Sequence, residues 1–210
     1  AKALLARISL FKQDYVAAKN FALEVIAKVP LMSTPAYPAK LFTLEETEAF
    51  LQLEPSSTSV VAGSYSTSFQ GRYLQGSNNQ IKFYASQAMV DIYNADANDV
   101  RKAWVTNVGG NWRVTKYPVN VVPGFVPTSL SYYPTLLRSS EMYLIAAEAY
   151  AYLGEDAKAT NYLDRIRMRA NPLAAPTTPT GSDLLNIIFT ERRKEMAFEG
   201  LRLFDLLRWK

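Results

Sequence analysis

Two widely separated stretches of this 210-residue chain place small residues and a proline at nearly the same spacing. Ala6, Ala18 and Pro30 lie twelve and twelve residues apart, and Ala147, Ala159 and Pro172 lie twelve and thirteen apart. Each alanine falls inside an apolar-periodic segment. Ala3–Phe11 reads as an amphipathic helix, Gln13-Asp14 as a break, and Tyr15–Val29 as a second helix closed by Pro30. Arg138–Leu153 and Asp156–Ala170 read as another pair, broken at Gly154 and ended by Asn171-Pro172. Alanine at a crossing lets two antiparallel helices approach closely, as in tetratricopeptide repeats. The spacing predicts a mainly α fold of tetratricopeptide-like helical hairpins forming a superhelical scaffold, with the two hairpins packed together. Ser182–Glu199 adds a further helix, with Ser182 or Asp183 as its cap. After a turn at Gly200, Leu201–Trp209 reads as a short helix that folds back.

The sequence between the hairpins differs in kind. Residues 31–137 hold six of the nine glycines and seven of the eleven prolines. Leu44–Leu53 and Ala85–Tyr93 read as short helices. Residues 103–108 and 111–117 read as a β-hairpin around Gly109-Gly110. Asp96 and Asp99, close to Asn94 and Asn98, read as a turn and a helix cap. Ser-rich Pro55–Ser68 reads as a mobile loop. The expected organisation is one domain: a hairpin over 1–30, an irregular ligand-facing insertion over 31–137, and a hairpin plus terminal helices over 138–210. Insertions on helical scaffolds are where binding residues concentrate.

The C-terminal run stacks Glu191, Glu195 and Glu199 at i, i+4 and i+8 of the predicted helix. Such stacking is unfavourable on a bare helix. It is relieved if each carboxylate meets a cation, and Arg192, Arg193, Arg202 and Arg208 share the run while Arg165, Arg167 and Arg169 lie upstream. Neighbouring apolar residues, among them Ile188, Met196, Phe198 and Leu203, leave little free surface. The expectation is a partly buried ion-pair network in which Glu195 and Glu199 pair with Arg165–Arg169 or Arg202. Its role is architectural.

Composition removes several kinds of chemistry. The chain has no Cys and no His, which excludes disulfides, thiolate and imidazole catalysis and nearly all transition-metal sites. No metal and no cofactor is expected. The net charge of +4 is spread among acids and gives no nucleic-acid stripe. No apolar stretch approaches the roughly 18 residues that span a bilayer. No phosphate loop, nucleophile elbow or calcium loop occurs, and nothing marks two carboxylates as a catalytic pair. No enzyme activity is expected. Both ends fall inside helical patterns, so the chain reads as a segment of a longer protein.

Binding is better supported. Sugar rings lay apolar C–H faces on aromatic faces, while their hydroxyls need amide, arginine or carboxylate partners. The insertion carries Tyr65, Phe69, Tyr73, Tyr84, Trp104, Trp112, Tyr117, Tyr132 and Tyr133, interleaved with Gln70, Arg72, Gln75, Asn78, Asn79 and Gln80. Tyr65, Phe69, Tyr73, Asn78, Asn79, Trp112 and Tyr132 are the candidate ligand residues. Tyr65, Tyr73, Trp112 and Tyr132 are the rings expected to be exposed.

The run E-R-R-K-E-M-A-F-E-G-L-R-L-F-D-L-L-R-W from Glu191 resembles the late motif of the SusD/RagB family of nutrient-binding outer-membrane lipoproteins. Leu137-Arg-Ser-Ser-Glu-Met-Tyr-Leu-Ile-Ala-Ala-Glu-Ala-Tyr150 resembles that family's preceding helix, and Ile166-Arg-Met-Arg-Ala170 its linking helix end. The resemblance covers roughly residues 96–210. It marks Arg138, Glu141, Glu148, Arg167, Glu191, Arg192, Glu195, Glu199, Gly200, Arg202, Asp205, Arg208 and Trp209 as structural residues. It implies capture of an oligosaccharide or related nutrient at the cell surface and delivery to a SusC-like TonB-dependent outer-membrane transporter, without catalysis. Membrane attachment would be through a lipid anchor outside this sequence. The alternative is a helical-repeat scaffold for a peptide or protein.

Overall fold

The computed structural model describes residues 1–54, 83–118 and 132–209. Among these residues, seven α-helices, one 3-10 helix and four short strands form two compact units. The first unit comprises Ala1–Pro35, Thr47–Leu51 and Leu137–Lys210, and the second comprises Ala36–Glu46 and Gln52–Leu136. Each has its own core.

The first unit holds both predicted hairpins. Helices α1 (Lys2–Phe11) and α2 (Tyr15–Ile26) form one, and α4 (Ser139–Tyr152) and α5 (Asp156–Ala170) the other. Helix α2 packs on both α1 and α4, and α4 packs on α5 and on α6 (Gly181–Glu195). Ala6, Ala18, Ala147 and Ala159 are fully buried in one common core. A methyl group at each crossing is what lets the helices close up. Asp14 caps α2 by accepting from the Ala17 amide at 3.0 Å. Helix α4 is buried on every side from Ser139 to Tyr150. An all-buried helix is normally apolar all round, yet this one carries Glu141 and Glu148.

Several boundaries differ from the sequence reading. Helix α2 stops at Ile26 instead of Val29. Helix α6 spans Gly181–Glu195, and neither Ser182 nor Asp183 is its cap: Thr180 holds that position without a side-chain bond. The Gly181 amide instead donates to Asp156 Oδ2 at 2.9 Å, so a carboxylate from another helix takes over the capping role. Glu199 lies beyond the end of α6, after Phe198 with φ 69°. Only Glu191 and Glu195 of the expected stack share the helix. The last helix, α7 (Arg202–Arg208), follows Gly200 at φ 80°, a left-handed conformation that favours glycine.

The segment Leu44–Leu53 is not a helix. Its second half is strand β1 (Ala49–Gln52), paired with β4 (Thr135–Arg138). The Ser139 amide donates to the Glu48 carbonyl at 2.9 Å, and Glu48 itself is fully buried. Its tertiary hydrogen bonds outweigh the local helical preference of Leu44–Leu53.

In the second unit, α3 (Gln87–Asn94) matches the expected short helix, shifted by two residues at its start. Asp99 caps the 3-10 helix Val100–Trp104, accepting from the Arg101 amide at 3.0 Å, and Asp96 closes the adjoining turn on the Asn98 amide. Strands β2 (Val105–Val108) and β3 (Asn111–Val114) form the antiparallel hairpin in the register Val105–Val114 to Val108–Asn111. Gly109 and Gly110 take φ 60° and 84°, as a two-residue hairpin turn requires.

The shared hairpin core yields a test. Ala147→Phe forces an aromatic ring into a crossing with no free volume. It should destabilise the protein by about 1–3 kcal/mol, read as a lowered urea midpoint. Ala157→Phe, on an exposed position of α5, serves as the control that should leave the midpoint unchanged.

Candidate functional site

Two groups of residues were expected to matter, the charged C-terminal motif and the aromatic insertion, and the structure treats them differently. The motif builds two buried ion-pair networks in the first unit. In one, the Arg138 guanidinium donates through Nη1 to Glu48 Oε1 at 2.9 Å and to Glu195 Oε1 at 2.7 Å. Its Nη2 reaches Glu199 Oε1 at 2.7 Å and the Glu195 carbonyl at 2.9 Å. Arg169 completes the cluster, donating to Glu48 Oε2 at 2.5 Å, Glu195 Oε1 at 2.8 Å and Ser140 Oγ at 2.8 Å. Burial by itself would lower the Arg138 pKa, but Glu199, Glu195 and Glu48 outweigh it and hold that pKa well above the usual guanidinium range.

The second network ties the last helix to the core. Arg192 Nε donates to both oxygens of Asp205 at 2.9 Å, and Arg192 Nη2 lies 3.4 Å from Glu141. Glu141 also receives a bidentate pair from Arg7 at 2.8 and 2.6 Å. Arg208 bridges Asp205 and Glu148, and the Trp209 indole donates to Glu148 Oε1 at 3.1 Å. Burial pulls the Arg192 pKa down less than Asp205, Glu141 and Glu148 push it up, so it remains a cation. Glu141 and Glu148 are therefore compatible with an all-buried α4 because arginines from three other helices, α1, α6 and α7, satisfy them.

The expected partner set needs amendment. Arg169 does meet Glu195, but Arg138 is the cation shared by Glu195 and Glu199. Arg167 pairs instead with Asp164 at 2.8 Å, Arg165 lies 3.4 Å from Asn161, and Arg202 sits over the Trp209 ring, 5.3 Å from its centroid. Glu48 was missed entirely. It ends the acidic stretch Glu45-Glu46-Thr47-Glu48 just before apolar Ala49-Phe50-Leu51, and the network closes through it.

These side chains pair mainly with one another and form a buried scaffold, with Arg192 Nη1 left without a hydrogen-bond partner among the described residues. Arg138→Met should leave three buried carboxylates short of a cation and cost about 3–5 kcal/mol. Glu195→Gln, which keeps the volume but removes the charge, should cost roughly 1.5–3 kcal/mol. Urea unfolding of both variants measures this, and an unchanged midpoint in either case would mean that the network contributes no stability.

The aromatic insertion is divided between core and surface. Tyr132 was expected to be exposed and is 2 % accessible. Its ring packs against Tyr117 at 5.1 Å and Phe42 at 6.3 Å, and Phe42 and Tyr117 lie 4.7 Å apart. Trp104 meets Tyr37 and Tyr93 edge-on, with Lys116 Nζ 4.2 Å from its centroid. The described part of the second unit builds its core largely from aromatic rings, and Tyr132 is one of them. Phe42 holds φ 60°, fixed by its amide donating to buried Glu46 at 2.7 Å and its carbonyl accepting from Tyr133 at 2.9 Å. Tyr65, Phe69, Tyr73, Asn78 and Asn79, like the Pro55–Ser68 loop, lie outside the described residues.

Trp112 is half-buried on β3, next to exposed Phe83 and Tyr84. The Ala85 amide donates to the Trp112 carbonyl at 2.8 Å, so residues 83–85 run beside β3. The Trp112 indole N–H donates to Gln87 Oε1 at 3.2 Å, while the Gln87 amide donates to Asp91 Oδ1 at 2.7 Å. Trp112 is thus oriented by an amide that is itself oriented by a carboxylate. Exposed Phe83 and Tyr84 lie just before Ala85 in the chain, within two residues of that backbone bond. Phe83 was missed by the sequence reading, although its position beside Tyr84 could have drawn attention to it.

The sequence profile of the SusD family matches residues 45–210. SusD-like protein P38 of Formosa agariphila is 34 % identical over 106 residues, 46 % of this chain and 20 % of its own length. A SusD superfamily protein from Bacteroides thetaiotaomicron superimposes over 99 % of this chain and 48 % of its own, with a TM-score of 0.85 and 26 % identity. A Bacteroides vulgatus protein, provisionally named as sugar binding, does so over 99 % of this chain and 46 % of its own, with a TM-score of 0.81 and 28 % identity. The chain thus spans about half the length of these solved structures. With the profile covering most of the sequence and the buried arginine–glutamate motif lying within it, the chain belongs to the SusD family.

Proposed function

We propose that this chain is part of a cell-surface receptor that binds an oligosaccharide or related nutrient and passes it to a SusC-like TonB-dependent outer-membrane transporter. Binding involves no bond making or breaking. The receptor is held to the outward face of the outer membrane by a lipid anchor outside this sequence. Family membership supports the reading, as does the sugar-binding name of the Bacteroides vulgatus relative.

The observation that carries the ligand class is the surface around Trp112. Half-buried Trp112 and exposed Tyr84 and Phe83 offer apolar ring faces for sugar C–H groups. Gln87, Asp91 and Asn111 add amide and carboxylate partners for hydroxyls. Gln87 already positions the indole, so less ordering remains to oppose binding. Tyr65, Phe69, Tyr73, Asn78 and Asn79 stay in the proposal on their chemistry. Tyr132 does not, because it is buried.

Calorimetry against a glycan panel tests the proposal. Trp112→Ala and Tyr84→Ala should each weaken binding roughly 3- to 10-fold, the worth of one stacked ring. The unfolding midpoint of Tyr84→Ala should not change, since its ring is exposed. Reducing sugar should not appear during prolonged incubation. Binding that neither variant alters would place the site elsewhere, and no binding to any glycan would remove the carbohydrate reading.

A further inference from the structure

We infer that the first unit carries a second ligand site, a cleft beside the end of α5 that takes a small ring molecule bearing a carboxylate. The cleft has a volume of about 360 Å³ and lies among α4, α5 and residues 30–34. Sites for small molecules begin near that size, at about 300 Å³. Arg165 and Arg169, one turn apart on α5, both line it, and among the described residues no carboxylate does. Glu48 and Glu195, which pair with Arg169, are not part of its wall. Arg165 is exposed and forms no ion pair among the described residues; its one hydrogen bond is the 3.4 Å contact from Nε to Asn161. Its two terminal nitrogens are thus available to an oxyanion, in the bidentate pairing that a guanidinium makes with a carboxylate.

The rest of the lining selects the body of the ligand. Tyr143 is 4 % accessible, and its hydroxyl makes no hydrogen bond among the described residues. A nearly buried phenol without a partner, on the wall of a cleft, has its proton and lone pairs to offer a ligand oxygen. Ser33 and Thr34 bring two more hydroxyls on exposed residues, and Met168 gives apolar contact for ring carbons. The walls are set before any ligand arrives. The Met32 amide donates to Glu48 Oε2 at 3.2 Å, and the Ser139 hydroxyl donates to the Val29 carbonyl at 2.6 Å, which pins residues 30–34 from both sides of Leu31. The Tyr143 ring packs against Tyr162 at 5.9 Å. Preformed walls leave little ordering to oppose binding. Arginines, free hydroxyls and apolar contacts together fit a cyclic acid, either a sugar acid such as glucuronate or a plain ring acid such as benzoate. The cleft belongs to the first unit and Trp112 to the second, so this site does not rest on the proposed glycan surface.

NMR titration with glucuronate, benzoate and inorganic phosphate tests the site. Glucuronate or benzoate should bind, and the tighter of the two tells sugar acids from other ring acids. Arg165→Gln should weaken that acid roughly 10-fold or more, and Tyr143→Phe roughly 3- to 10-fold. Neither variant should shift Tm, because Arg165 is exposed and the Tyr143 hydroxyl holds no other group of the described protein. Lys12→Gln removes an exposed cation outside the cleft and should leave affinity unchanged. Affinity should fall as salt is raised. No binding of either acid, or binding that Arg165→Gln leaves intact, would overturn the proposal. Phosphate bound as tightly as the acids would also overturn it, since the ring would then contribute nothing. Acid binding that persists when the glycan panel shows none would remove the carbohydrate reading of the Trp112 surface and leave this site standing.

Discussion

Arg138 and Arg169 set between Glu48, Glu195 and Glu199 form the interaction on which the first unit depends. The five side chains come from four separate parts of the sequence, and each is buried or nearly so. Isolated in a protein interior, any one of them would be strongly unfavourable. Together they satisfy one another, and this brings the segment around Glu48 against the start of α4, the end of α5 and the end of α6. The carboxylates that α4 itself carries, Glu141 and Glu148, are met by the second network, which lets that helix be enclosed on all sides. The second network, through Arg7, Arg192 and Arg208, extends the same logic to α1 and α7.

Small residues and charges divide the work. The four buried alanines set how closely the hairpins approach, which is a matter of steric volume and tolerates many apolar surroundings. The arginine–carboxylate clusters specify which segments meet, because a guanidinium accepts only partners placed in its plane. Close packing alone would permit hairpins to slide along one another. A misregistered Arg138 would take one cation away from Glu48, Glu195 and Glu199 together, so the charge network penalises the alternatives.

The aromatic residues of the second unit follow a different economy. Among the described residues, that unit packs Tyr37, Phe42, Tyr93, Trp104, Tyr117 and Tyr132 into its interior and leaves Phe83, Tyr84 and, in part, Trp112 at the surface. Hairpin geometry holds Trp112 partly outward, and Gln87 fixes its tilt. The proposed sugar contacts rest on such surface rings, whereas the buried networks of the first unit hold the scaffold.

The sequence by itself determined the hairpins, their partnership and the burial of the charged motif. Helical periodicity and the Ala6/Ala18 and Ala147/Ala159 spacing are local, and an apolar run around stacked carboxylates has few solutions other than buried arginines. The turn at Gly109-Gly110, the break at Gln13-Asp14 and the cap at Asp99 were legible for the same reason: each depends on neighbours a few residues away. Tertiary structure alone decided the rest. Glu48 lies about 90 residues before Arg138 in sequence, and nothing local marks it as that arginine's partner. The same long-range contact made Ala49–Gln52 a strand where its own residues favoured a helix. Tyr132 and Trp112 are chemically similar in sequence, but one fills a core that needed volume and the other rides on a hairpin. Burial of a ring depends on what packs against it, and that is a property of the folded chain rather than of the residue.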